Sequence, residues 1–290
     1  MSSKDAHMTR PTITPRKPPL GFEKVPRHWF AGLAVPTAIS NGVNLLFPHG
    51  ERFFVRSVYH FLDRIEDPAL REAVKGFGNQ EGRHARAHED YFDTLRAQGY
   101  DIDRFLELYT RVTSRIEKFS GAKLRLATTA AAEHFTAIMA EGAATEMPLE
   151  LVHPQMRQLL LWHAAEELEH KSVAFDVLQA VDDSYALRVA GMAMATIMLS
   201  TWWAIATIML LRQDGIGPLE AARRLREMRA AAARAGQHVP KPIGERVFGR
   251  GLREYLRRDF HPDQNDNYHL AGVLLARSEA AHREAAARAS

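Results

Sequence analysis

The sequence predicts an all-α protein. Three observations predict it. Strand signals are nearly absent, long stretches repeat their apolar residues with a 3.6-residue period, and Pro and Gly break the chain between those stretches. With 290 residues, 46% of them hydrophobic, the chain can bury a large core, as one big domain or two small ones.

The elements follow in chain order. Residues 1–20 are rich in Pro, Ser, Thr and Lys and are expected to be a disordered tail. They hold no apolar core of the kind a signal peptide needs, so a cytoplasmic protein is expected. A first helix is predicted over 50–65, its stripe running Val55, Val58, Leu62, Ile65. At "EDPAL", Asp67 is placed to cap the next helix and Pro68 to take its first position, giving 68–97. Further helices are predicted over 102–118, 121–144, 154–181 and 185–212. "GIGP" at 215–218 breaks the chain, 218–235 resumes it, "GQHVPKPIG" at 236–244 is a loop, and 244–258 is helical again. The expected organisation is a helical core at 21–182. An apolar helix and a basic helical region, 183–275, pack on it, and 276–290 is a flexible tail.

Composition limits the chemistry. The chain has no Cys, which excludes disulfides, thiolate catalysis and sulfur-ligated metals. Any metal must be held by His, Asp, Glu or water. The net charge of +3 is too small to argue for nucleic acid.

Polar residues interrupt two apolar stripes. In "LLLWHAAEELEHKSVAFDV" they are His163, Glu167 and His170, on the face of Leu160 and Ala174. In 68–97 the stripe Leu70, Val74, Phe77 runs into Glu81, His84 and His88 before Tyr91 and Leu95. Glu81/His84 and Glu167/His170 are both Glu-x-x-His pairs, whose spacing puts both side chains on one face. Counting from the turns finds their partners. Fifteen residues either side of a turn near 66 lie Glu51 and Glu81; seventeen either side of one near 150 lie Glu133 and Glu167. One Glu from each of two helices and a Glu-x-x-His from each of the other two is the donor set of a dinuclear carboxylate site in a four-helix bundle. Two divalent cations would balance four carboxylates that could not otherwise be buried. Oxygen and imidazole donors suit iron or manganese, with zinc the alternative. The expected division gives Glu51, Glu81, His84 and one further carboxylate to one metal, and Glu133, His163, Glu167 and His170 to the other, with the bridging carboxylates unassigned. His88 and His134 are expected as supporting residues behind the ligands or as satisfied polar residues, the supporting role suiting His88, one turn beyond His84. Glu166, Glu169 and Lys171 lie off the stripe and are expected on a solvated face. His261, in "FHPDQND", is a plug for the site or a helix cap.

On these residues the chain resembles the ferritin-like di-iron carboxylate superfamily over roughly 45–182. The resemblance implies a ferritin-like four-helix bundle core with additional C-terminal helices. The third histidine, His163, gives a three-His, four-carboxylate spacing similar to the p-aminobenzoate N-oxygenases. With "FPHGERFF", "QEGRHARAH", "AAEHFTA", "WHAAEELEHKSVAFDV" and "RDFHPD", most of the chain resembles a bacterial family labelled predicted metal-dependent hydrolases.

Residues 189–211, "VAGMAMATIMLSTWWAIATIMLL", are uncharged and long enough to span a bilayer, but both Trp are central. Three readings stand: a buried helix or dimer face, a membrane contact, or the wall of a greasy channel. After it, 212–258 carries eleven Arg and one Lys against five acids, a solvated face or a contact for anionic groups.

The expected function is a di-iron enzyme that uses dioxygen to oxidise a small apolar molecule, with an electron-donor protein as partner. The alternatives are a dinuclear metal-dependent hydrolase and an iron-oxidising or iron-storing protein.

Overall fold

The computed structural model describes residues 10–288. The fold is all-α. Among the described residues there is no strand, and an isolated β-bridge pairs Phe30 with Val152. The helices are α1 (Ala34–Asn44), α2 (Phe47–Tyr59), α3 (Pro68–Ala97), α4 (Asp103–Phe119), α5 (Ala122–Thr145), α6 (Pro154–His170), α7 (Val173–Val181), α8 (Tyr185–Gln213), α9 (Pro218–Arg234), α10 (Arg250–Tyr255) and α11 (His269–Ala287). A π-turned run, Gly244–Gly249, leads into α10.

Two hairpins position the polar residues. The α2–α3 turn is closed as expected: Asp67 accepts the Ala69 N–H at 2.9 Å and Pro68 opens α3. The second hairpin joins α5 to α6. The hairpins face each other through α2 on α5 and α3 on α6. Ser57 and Thr129 share a buried hydrogen bond of 2.6 Å across the first of these contacts.

The remaining helices sheath this core. The predicted 154–181 helix is two, broken at Lys171–Ser172 into α6 and α7. α1, not expected from the sequence, packs on α8. α8 in turn lies so close to α5 that a Cβ on Gly191 would sit 2.4 Å from the Ala127 backbone. α8 is long and apolar enough to cross a membrane by length and composition. Its inner face, with Met192, Ala195, Trp202, Trp203, Ala206 and Leu210, is buried, while Ile197 and Ile205 are exposed.

Both expected tails are corrected. α11 runs through 276 to Ala287 and packs along α6, burying Leu274, Ser278 and Ala281. It has few large apolar residues, but Ala and Ser permit close approach. Residues 10–20 form an extended strap over α3 and α6. Ile13 sits against Gly76, and the Arg16 guanidinium makes two hydrogen bonds to Glu169, at 2.7 and 2.8 Å. The parts of those expectations that concern 1–9 and 289–290 lie outside the described residues.

Candidate metal centre

α3 and α6 cross in opposite directions, so Glu81 is level with His170, while His84 and His88 are level with His163. His170 Nε2 lies 3.0 Å from Glu81 Oε1, 3.4 Å from Glu133 Oε2 and 3.7 Å from Glu167 Oε2. His163 Nε2 lies 2.9 Å from Glu167 Oε1 and 3.5 Å from Glu51 Oε1. His84 Nδ1 is 3.8 Å from Glu167 Oε1. All seven predicted ligands, Glu51, Glu81, His84, Glu133, His163, Glu167 and His170, therefore meet in one buried cluster.

Their grouping follows the expected one for Glu51, Glu81 and His84 and for Glu133, Glu167 and His170, and differs at His163. Glu81, Glu133, Glu167 and His170 offer donor atoms within 4.8 Å of one another; His84, His163 and Glu167 do so together, as do Glu51, Glu81 and His84. His163 thus belongs with His84 and Glu51, not with His170 and Glu133. The cause is its place on α6, one turn before Glu167, while His170 is one turn after it. Glu167 lies between the two groups.

Hydrogen bonds fix which nitrogen of each imidazole faces the cluster. His84 Nε2 donates to Glu166 Oε2 at 3.0 Å, so Nδ1 is the free lone pair. His170 Nδ1 donates to Gln80 Oε1 at 2.9 Å, so Nε2 is free. His88 Nδ1 donates to Asn44 Oδ1, which leaves His88 Nε2 to accept from His163 Nδ1 at 2.7 Å and His163 Nε2 to face inward. His88 thus supports His163 from behind. Phe47 closes over both rings, with centroids 4.8 Å from His88 and 4.7 Å from His163.

His134 lies away from the cluster, among residues of α10 and the loop after it. It neighbours Glu133 on α5, about 100° around the helix, and so faces α10. It lies 3.5 Å from Glu254 and packs on Tyr255 and Phe260. His261 resolves as a cap: its Nδ1 accepts the Asp263 N–H, and its Nε2 bonds Asp176 at 2.8 Å.

The solvated-face expectation for Glu166, Glu169 and Lys171 is overturned. All three are buried, because the strap and the C-terminal loop cover that side of α6. Glu166 accepts from the Arg16 backbone N–H at 2.9 Å. Glu169 pairs with the Arg16 guanidinium and accepts from Gln80 Nε2 at 2.9 Å. Lys171 Nζ donates to the Asn265 carbonyl and Asn267 Oδ1, both at 2.5 Å, over the Tyr268 ring.

Electrostatics test whether the cluster fits a metal. Neither carboxylate oxygen of Glu51, Glu81 or Glu133 has a hydrogen-bond partner; nor do Glu167 Oε2, His84 Nδ1 and His170 Nε2. Such atoms are rare in a buried interior, and here they converge. Burial, then repulsion from neighbouring carboxylates, pushes Glu51 well above the usual carboxylate range and Glu81 up to about 8. Burial, then Glu167, pushes Glu133 up to about 7. Burial and the charge of His163 hold His84 well below the usual imidazole range. A pair of cations would satisfy the orphaned atoms and reverse the cost of the carboxylate charges.

Two cavities reach this cluster. One, of about 130 Å³, lies between α2, α4, α5 and α8 and touches Glu51. Its wall is mostly apolar, including Phe53, Phe54, Ile116, Met194, Met198, Leu199 and Trp202. Hence the inner face of α8 walls a greasy cavity. The other, of about 140 Å³, lies against α1, α5 and α6 and touches His163 and Glu167. Val43, Phe47, Thr136 and Met139 line both.

A family model described as predicted metal-dependent hydrolase matches residues 14–266. No curated protein and no solved structure matches the chain.

Proposed function

The chain belongs to the predicted metal-dependent hydrolase family, and we propose that it is an enzyme that uses a pair of metal ions to hydrolyse a bond in a small, mainly apolar molecule. The observation that carries the metal pair is the convergence of unpartnered buried donors: both oxygens of Glu51, Glu81 and Glu133, with Glu167 Oε2, His84 Nδ1 and His170 Nε2. The family description supports hydrolysis.

Glu81, Glu133, Glu167 and His170 would hold one ion, and Glu51, His84 and His163 the other, with Glu167 between them. Such a pair, when bound, supplies a water ionised near neutral pH and Lewis-acid polarisation of the bond to be cut. The chain's own residues do the rest. Gln80, Glu166 and His88 orient the three imidazoles. Phe47 shields the His163 side from bulk water. The two cavities offer apolar walls for the body of the molecule and open on the centre, one at Glu51 and the other at His163 and Glu167.

A second reading is favoured by one specific observation. The donors come as one Glu from each of α2 and α5, plus a Glu-x-x-His from each of α3 and α6, the arrangement of ferritin-like di-iron and di-manganese proteins. On that reading the centre holds iron and oxidises the apolar molecule with dioxygen. The test loads the protein separately with Zn²⁺, Mn²⁺ and Fe²⁺. Turnover of 4-nitrophenyl esters that Glu167→Ala abolishes supports hydrolysis. Oxygen uptake by the reduced iron form, abolished by the same variant without any ester turnover, overturns it in favour of oxidation.

A further inference from the structure

The cavity against α1, α5 and α6 is mostly apolar, with the hydroxyl residues Ser40 and Thr136 in its wall and ionisable groups at two places. At one end it touches His163 and Glu167. Elsewhere its wall carries Arg246, from the π-turned run before α10. The Arg246 side chain is 10% exposed. Its Nε and Nη1 have no hydrogen-bond partner. The nearest carboxylate, Glu146, is 3.8 Å from Nη1, and the Gly142 face of α5 packs against the guanidinium. Burial depresses this guanidinium below its usual range, and Glu146 only partly offsets that. Two other Arg side chains of the interior each have a short acceptor: Arg188 bonds the Arg257 carbonyl, although its Nε is also unpartnered, and Arg157 bonds Glu284. A buried cation with donors left over in the wall of an apolar cavity is complementary to an anionic end on an apolar ligand.

We propose that Arg246 is a specificity residue that binds the carboxylate of an amphiphilic substrate or product, whose apolar body lies in this cavity and points toward His163 and Glu167. The inference rests on the proposed reading that the cavities are the ligand's route to the centre, and it narrows the ligand from an apolar molecule to an apolar carboxylate. Ile39, Val43, Leu160 and Trp203 line the space the body would fill.

The test uses full-length protein stripped with a chelator, so that no carboxylate can ligate a metal. Octanoate, octanol and octyl phosphate are titrated by calorimetry, with Trp203 in the cavity wall adding a fluorescence signal. Octanoate is expected to bind at least tenfold more tightly than octanol. Arg246→Met keeps the length, removes the charge, and should erase that preference while leaving octanol binding unchanged. Arg246→Lys should restore part of it, and it also serves as the deciding variant if Arg246→Met does not fold. Equal binding of octanoate and octanol by the parent overturns the proposal, as does a preference that survives Arg246→Met or is unchanged in Arg246→Lys and Arg246→Met alike. Tighter binding of octyl phosphate than of octanoate overturns the carboxylate assignment. The proposed reaction is tested separately, on metal-loaded protein, so a catalytically inert protein that still shows the Arg246-dependent preference refutes the reaction and not this site.

Discussion

Glu166 and Glu167 are neighbours on α6, yet they do different work. Glu167 sits between His163 and His170; against the opposing effect of burial, the His163 contact at 2.9 Å and the charge of both imidazoles hold it well below the usual carboxylate range. Glu166 faces the other way and fixes the His84 ring. Glu166→Ala should therefore lower divalent-metal affinity by ~10–100-fold, the usual effect of losing such a support. Exposed Asp93→Ala should change nothing beyond ~0.5 kcal/mol in stability. A Co²⁺ titration with visible absorption compares them; parent-like affinity in Glu166→Ala would show that its bond to His84 is idle. The sequence made Glu167 legible and not Glu166. The apolar stripe marks one face of α6, whereas the burial of Glu166 depends on a strap more than a hundred residues away in the chain. The same side chains predict a pH dependence. Between pH 6.5 and 8, folded Glu81 and Glu133 hold protons that the unfolded chain, with carboxyls near 4.5, has already released. Raising the pH through this window removes those protons, so the chelated protein should lose stability. His170, also shifted upward, acts in the same direction; His84 and His88, shifted downward, oppose it near pH 6.5, where unfolded imidazoles are still about half protonated, and the opposition fades as the pH rises. Thermal melts of chelated protein should show a falling Tm from pH 6.5 to 8, and added Zn²⁺ should reverse the trend. A Tm that rises with pH without metal would refute it.

At the level of elements, counting outward from two turns was enough to place Glu51 and Glu133, because antiparallel hairpins keep register with distance from the turn. Which carboxylates His163 joins was not legible, since it depends on how α3 crosses α6. The reading of α8 shows the same limit. Its length and apolarity are in the sequence, but the direction of Trp202 and Trp203 is not. Both face inward: Trp202 onto Phe105 and Tyr109, Trp203 donating to the Ile39 carbonyl at 2.8 Å. Polar substitution of this pair would test the core and the cavities, while Ile197 and Ile205 are the residues that test an outer contact. The α5–α8 approach yields its own prediction. Gly to a larger residue inside a helix ordinarily relieves an entropic cost. At Gly191 a Cβ meets the Ala127 backbone at 2.4 Å, so Gly191→Ala should destabilise by ~1–3 kcal/mol. Urea unfolding reads this directly, and a neutral or stabilising result would mean that the helices lie farther apart.

Across the whole molecule, the segments least structured by composition lie over the centre. Arg16 reaches both groups of ligands, through Glu166 to His84 and through Glu169 and Gln80 to His170. Four prolines in 10–20 restrict the backbone that presents it. Composition alone reads this stretch as disordered; the clue against that is the apolar Ile13, Leu20 and Phe22, which a solvated tail would not need. Arg16→Ala should weaken both metals, whereas Gln80→Leu, which cuts one arm, should weaken only the one at His170. A Co²⁺ spectrum unchanged in Arg16→Ala would show that the strap only covers the helices. The central claim is the metal pair itself, and elemental analysis after anaerobic reconstitution with Fe²⁺ tests it most directly. Two ions per chain in the parent, with loss of metal in Glu81→Ala and in Glu167→Ala, is the predicted result. One ion or none in the parent, or full loading when both glutamates are replaced, would contradict it.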